Sequence, residues 1–150
     1  VLYDKPNNLF VAGFIGSPQM NFVDATCKVV GDNVYLVAGP SEIELPPSKA
    51  KKLIDGGYAG KTVVLGIRPE DVHDEQMFIE ASPSAPMTSV VKVYELLGAE
   101  VFLYFDVNGT QVTARVDPRT TAKTGDPIKF AFDMEKSHFF DKETELTICN

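Results

Sequence analysis

Glu100–Asp117 reads EVFLYFDVNGTQVTARVD, and at its centre Asn108-Gly109 is the dipeptide that supplies the two positive φ angles of a type I′ turn. With those two residues as the loop, Phe105 faces Val112, Leu103 faces Ala114 and Val101 faces Val116, all on one side. The other side pairs Asp106 with Gln111, Tyr104 with Thr113 and Phe102 with Arg115. One face is wholly apolar and the other mixed, the signature of a hairpin packed on one side. Phe102 and Tyr104 nonetheless put two aromatic rings on the mixed face. They either cover a neighbouring strand or belong, with Arg115, to a subunit interface.

Working outward, the same period of two recurs between closely spaced glycines and prolines, so the chain is predicted to be mainly β. Val23, Ala25, Cys27 and Val29 alternate with Asp24, Thr26 and Lys28, and Gly31-Asp32-Asn33 turns the chain into Val34–Ala38. Thr62–Arg68, Ser89–Leu97 and Ile128–Asp133 read as further strands, giving about seven or eight in a small barrel or sandwich. Pro47–Asp55 reads as a short helix ended by Gly56-Gly57 as a left-handed cap. Asn7–Gly16 reads as an N-terminal helical tail, and Ser17-Pro18 breaks the chain before the first strand.

The chain has 150 residues, 44% of them apolar, with 14 Lys and Arg against 21 Asp and Glu. That length buries roughly 70% of the unfolded surface, so neither a disulfide nor a structural metal is required. Cys27 and Cys149 stand apart from any Cys-x-x-Cys or His/Cys cluster, although a disulfide between them stays open. The formal charge of −7 repels phosphate backbones and anionic headgroups, which disfavours nucleic acid as a partner. No apolar run reaches the ~20 residues of a membrane span, and Val1–Pro6 has no signal-peptide character.

Several motifs invite catalytic readings. Gly56–Thr62 ends like a phosphate-binding loop, but Asp55 stands where that pattern needs glycine, and a helix precedes the loop where a strand should. Asn108-Gly109-Thr110 fits a glycosylation acceptor, yet the hairpin explains the same residues. Glu70–Glu75 gathers four carboxylates around His73; without the spacing of a calcium loop it is predicted to be a solvated acidic stretch. His138 has no nucleophile turn to serve and is predicted to be a structural or interface histidine. For Arg68 the expectation is a buried or half-buried ion pair with Glu70 or another acid, with contact to a regulator as the alternative. Pro69, which offers no amide to a ladder, should end the strand there.

Tyr3, Pro6, Asn8, Phe10–Pro18 and Met20-Asn21-Phe22 together resemble the junction in ATP-binding subunits of carbohydrate ABC importers. Gly66-Ile67-Arg68-Pro69-Glu70-Asp71 resembles a second motif of those subunits, and Glu95–Glu100 and His138–Asp141 fit later blocks in order. The resemblance, closest to maltose, multiple-sugar and glycerol-phosphate importers, implies that residues 1–22 end a nucleotide-binding domain. Residues 23–150 would then be a regulatory OB-like or TOBE domain. It further implies no catalysis and no cofactor within these residues, the parent holding ATP and Mg2+. Implied partners are a second copy, membrane-spanning permease subunits and a regulatory protein, and the implied location is the cytoplasmic face of the membrane. Phe102, Tyr104, Arg115, Arg68 and Glu70 are the interface or regulatory candidates. A related possibility is a β-domain that senses small oxyanions, which would need a cluster of amide, hydroxyl or Lys donors.

Overall fold

The computed structural model describes residues 20–39, 41–82, 86–144 and 146–149. The helical tail expected over Asn7–Gly16 lies outside them. Every strand pairing among the described residues is antiparallel. The strands form one six-stranded and two three-stranded sheets, so the chain is mainly β, in open sheets whose ladders close no single ring.

The large sheet begins with β1 (Asn21–Val30), which takes in Asn21 and Phe22, two residues the sequence reading placed with the preceding segment. It continues through β2 (Asn33–Ala38), β3 (Ser41–Glu44), β4 (Thr62–Ile67), β11 (His138–Asp141) and β12 (Thr147–Cys149), in spatial order β12-β11-β4-β1-β2-β3. Between β1 and β2 the loop is Gly31-Asp32, with Asn33 already paired to Val30. Alternation sends Val23, Ala25 and Cys27 of β1 and Val34, Leu36 and Ala38 of β2 into the core. β4 is buried on both faces: Val63, Leu65 and Ile67 join the main core, while Val64 packs with Met20 and Phe140 on the far side. Gly66 makes that second packing possible, because a Cβ there would meet Met20 Sδ at 2.8 Å and Phe140 Cε2 at 2.9 Å.

Helix α1 (Pro47–Asp55) carries Pro47 in its first turn and ends as the glycines foretold. Gly57 takes φ +80°, its amide donates to Ile54 O, and the Tyr58 amide donates to Leu53 O. These two bonds are a Schellman cap. Ala50 and Leu53 face the core, and buried Lys49 sends Nζ 2.8 Å to the Ser137 carbonyl. Because α1 comes before β4, the region around Gly60 and Lys61 is a turn leading into a strand, as the failed phosphate-loop pattern requires.

The second sheet is β5 (Val72–His73), β10 (Pro127–Phe132) and β6 (Met87–Val90), and the third is β7 (Val93–Leu97), β8 (Glu100–Val107) and β9 (Thr110–Val116). A short helix, α2 (Gln76–Ala81), follows β5. The β8–β9 register is the one derived from Asn108-Gly109, pair for pair, and those residues sit at φ +51° and +81°.

Ser89–Leu97 does not form the single strand expected. It divides at Val91-Lys92, so that β6 pairs with β10 and β7 pairs with β8. Buried Val91 pins the joint, its amide donating to Asp126 O while its carbonyl accepts from Gly125 N. The apolar alternation continues across the joint without glycine or proline, so periodicity gave no sign of the change of sheet. The short β3, β5, β11 and β12 raise the strand number above the seven or eight expected; runs of two to four residues lie below what a period of two resolves.

Sheets one and three are joined by a side chain. Asn21 donates Nδ2–H to Thr113 O at 2.8 Å and accepts the Thr113 amide on Oδ1 at 2.9 Å. It thereby does for the edge of β9 what a neighbouring strand's backbone would do.

Candidate functional site

The mixed face of β8 and β9 is where the sequence reading placed a subunit contact. Tyr104 is half-buried there, and a hydrogen bond to the Glu95 carboxylate, followed by burial, pushes its phenol pKa up. Arg115 is also half-buried, with Nη1 3.8 Å from Glu100 Oε2. Phe102 is only 6% exposed. The ring is therefore packed within the protomer, which leaves Tyr104 and Arg115 as the accessible members of the trio.

The neighbouring strand adds residues that the sequence reading did not single out. β7 pairs Val93 with Tyr104 and Glu95 with Phe102, and opposed residues in an antiparallel ladder share a face. Val93, Leu96 and Leu97 are 46%, 58% and 55% exposed. β7 is also an outer strand of its sheet, so along one margin a row of backbone groups runs beside exposed aliphatic side chains. Lys92 bridges to Asp106 at one end of this margin. The missed signal was the pairing of β7 with β8, which a reading of Ser89–Leu97 as one strand obscured.

At the end of β4 lies the second candidate region. Arg68 is 8% exposed and brings Nη1 to 3.3 Å from Nε2 of His138, itself 3% exposed. A guanidinium only donates, so Nε2 must accept and His138 carries its proton on Nδ1. This agrees with a structural role for His138 and gives Arg68 a neighbour that the sequence reading had not paired with it. Pro69 then opens a 3-10 turn over Pro69–Asp71, closed by the Asp71 amide on Arg68 O at 2.9 Å. Glu70 is half-buried at its apex.

The prediction of a solvated acidic stretch over Glu70–Glu75 is corrected by the structure. Asp71 is 5% exposed, and Asp74 is held by the Thr120 hydroxyl at 2.7 Å. The 3-10 turn carries Asp71 inward, and β5 fastens the next two residues to β10. Burial, then the nearby Glu70 charge, pushes the Asp71 carboxyl up to about 6.

Among the described residues no helix is long and apolar enough to cross a membrane. The chain matches the MalK OB fold domain family over residues 16–72 and the TOBE domain family over residues 86–139. It is 42% identical over 147 residues to the oligosaccharides import ATP-binding protein MsmX of Bacillus subtilis, covering 98% of this chain and 39% of that protein. Identity to the multiple sugar-binding transport ATP-binding protein MsmK of Streptococcus mutans is 41%, covering 98% and 38%. The trehalose/maltose import ATP-binding protein MalK of Thermococcus litoralis is 38% identical, with 98% and 39% covered. The chain thus spans about two fifths of the length of these relatives. Among solved structures, the cytoplasmic molybdate-binding protein ModG in a molybdate-bound form shares the fold. The TM-score is 0.58 at 18% identity, covering 79% of this chain and 94% of that one.

Proposed function

This chain belongs to the family of MalK OB-fold and TOBE domains of carbohydrate ABC importer ATP-binding proteins, and from that premise we propose that it is a non-catalytic regulatory and dimerisation unit of such a subunit. The observation that carries the dimerisation reading is the open margin of β7, where exposed Val93 and Leu97 share the face of Tyr104 and Arg115. An outer strand bearing aliphatic side chains gains by meeting its own image across a two-fold axis, which buries the patch and satisfies both margins at once.

A contact that persists between turnovers would make each closure of two ATPase domains an intramolecular event, raising their effective concentration without sealing the nucleotide sites. In this reading ATP and Mg2+ belong to a nucleotide-binding domain of the parent, permease subunits are met through that domain, and the assembly lies at the cytoplasmic face of the membrane. Arg68, packed against His138, fixes the end of β4. Glu70, half-buried beside it, is the part of that corner within reach of a regulatory protein.

Sedimentation velocity tests the proposal. The chain should self-associate, and Tyr104→Ala and Leu97→Asp should shift it toward monomer, while Phe102→Ala acts through folding. Unchanged association in both surface variants would remove β7 and Tyr104 from the interface. The competing reading, an oxyanion sensor, rests on likeness of fold to ModG alone. Calorimetric heat with micromolar molybdate would favour it over the dimerisation unit.

A further inference from the structure

β5 and β10 pair Val72 with Phe132 and His73 with Ala131. The same register sets Asp71 opposite Asp133, and the Asp133 amide donates to Asp71 O at 2.8 Å. Alternation then sorts the side chains. Val72 and Phe132 enter the core, while Asp71, His73 and Asp133 emerge together on the reverse face. Their ligating atoms all lie within 4.8 Å of one another.

Two carboxylates and an imidazole this close are a cation-binding set only if something beyond proximity favours an ion. Asp71 meets that requirement. It is 95% buried, as its 5% exposure states, and among the described residues its carboxylate makes no hydrogen bond. Lys136 and Arg68 act on it as charges through space, opposed by Glu70 and Asp133. Two carboxylates turned toward one another repel, and a cation between them would relieve that repulsion.

His73 is already oriented for ligation. Its ring stacks on Phe78, with centroids 4.0 Å apart and planes 19° apart, and Nδ1 lies 2.8 Å from Glu75 Oε2. A carboxylate on Nδ1 holds the proton there and leaves the Nε2 lone pair for a metal, the outer-shell pattern of histidine-ligated metals. We propose that Asp71, His73 and Asp133 form a binding site for a divalent cation of the zinc class, with Glu75 orienting the imidazole and solvent water completing the coordination. The mixed nitrogen and carboxylate donor set suits zinc or cobalt better than calcium or magnesium, which favour all-oxygen cages. At metal–ligand lengths of about 2.1 Å the three donors would draw to about 3.5 Å apart. Rotation of the Asp71 and Asp133 carboxylates toward the imidazole held by Glu75 and Phe78 supplies that movement. The ion would clip the 3-10 turn after β4 to the end of β10.

Cobalt(II) is the probe. The chain, stripped with chelator, is titrated with cobalt while visible absorption and the proton resonances of its two histidines are followed. We expect one equivalent to bind, the His73 ring signals to shift strongly with those of buried His138 far less affected, and zinc to displace the cobalt. Asp133→Asn and His73→Ala should abolish binding, and Glu75→Gln should weaken it about 10–100-fold. If a variant fails to fold, the histidine resonances of the unaltered chain decide the matter. A His73 signal indifferent to one equivalent of cobalt, or equal uptake by the folded Asp133→Asn chain, would overturn the proposal.

Discussion

Replacing Asn21 by Ala removes both hydrogen bonds that join β1 to β9 while leaving the backbone of each strand in place. Asn21 is 7% exposed, so its two polar groups have exchanged water for Thr113, and the alanine variant leaves the Thr113 amide and carbonyl without that partner. An unsatisfied buried polar group costs about 1–3 kcal/mol. Thr113 is only half-buried, so water recovers part of each loss and the low end applies, giving about 2–3 kcal/mol for the pair. For a chain of this size that lowers Tm by about 5–10 °C. Urea denaturation should show the lost stability as an earlier midpoint at unchanged slope, and the Thr113 amide should exchange faster with deuterium. Asn21→Asp supplies a sharper check. It keeps an acceptor for the Thr113 amide but turns a carboxylate oxygen toward the Thr113 carbonyl. It should therefore be no better than alanine at pH 7 and should recover as acid protonates the carboxyl. A loss below about 0.5 kcal/mol for Asn21→Ala, the range of ordinary surface changes, would refute the view that this side chain stands in for a strand.

Gly66→Ala should destabilise by about 1–3 kcal/mol through overpacking, since Met20 Sδ and the Phe140 ring stand under 3 Å from the added carbon. Combining it with Phe140→Leu should return part of that loss, a non-additivity that thermal melts of the four proteins would reveal. Asp141 accepts the Glu143 and Thr144 amides on Oδ1 and the Tyr58 hydroxyl on Oδ2. Chiefly the Thr144 amide, and next the Tyr58 hydroxyl, hold its pKa below the usual 3.8. A carboxylate depressed in the folded state lends stability that is fully present above its unfolded pKa and is lost as the pH falls through the folded one. The difference in denaturation midpoint between the parent and Asp141→Asn should thus be widest near neutrality and close below pH 3.8; a constant difference across that range would contradict the assignment.

What the sequence disclosed and what it concealed follow from range. The β8–β9 register was legible because Asn108-Gly109 fixes the loop and each facing pair then depends only on counting outward. Helix α1 was legible for the same local reason, with Pro47 at its start and Gly57 at its end. Ser89–Leu97 misled because nothing local marks Val91-Lys92; the change of sheet is decided by Asp126 on one side and Tyr104 on the other, whose positions only the assembled fold supplies. The acidic stretch misled in a related way. Asp71 and His73 were visible as alternating neighbours, but Asp133 joins them only through the pairing of β5 with β10. The mixed face was half legible: Phe102 and Tyr104 were correctly placed on it, whereas the burial of Phe102 and the exposure of Val93 and Leu97 depend on what the other strands cover.

The joint at Val91-Lys92 constrains how this chain is free to vary. Since one stretch serves as consecutive strands of two sheets, an added residue there would reverse the inward and outward sense of everything from Val93 to Leu97 while β6 kept its own. Tyr94 would swing away from the interior and Glu95 would enter it. Substitution at the joint costs one contact, whereas insertion or deletion scrambles a whole strand, so its length should be guarded more strictly than its lettering.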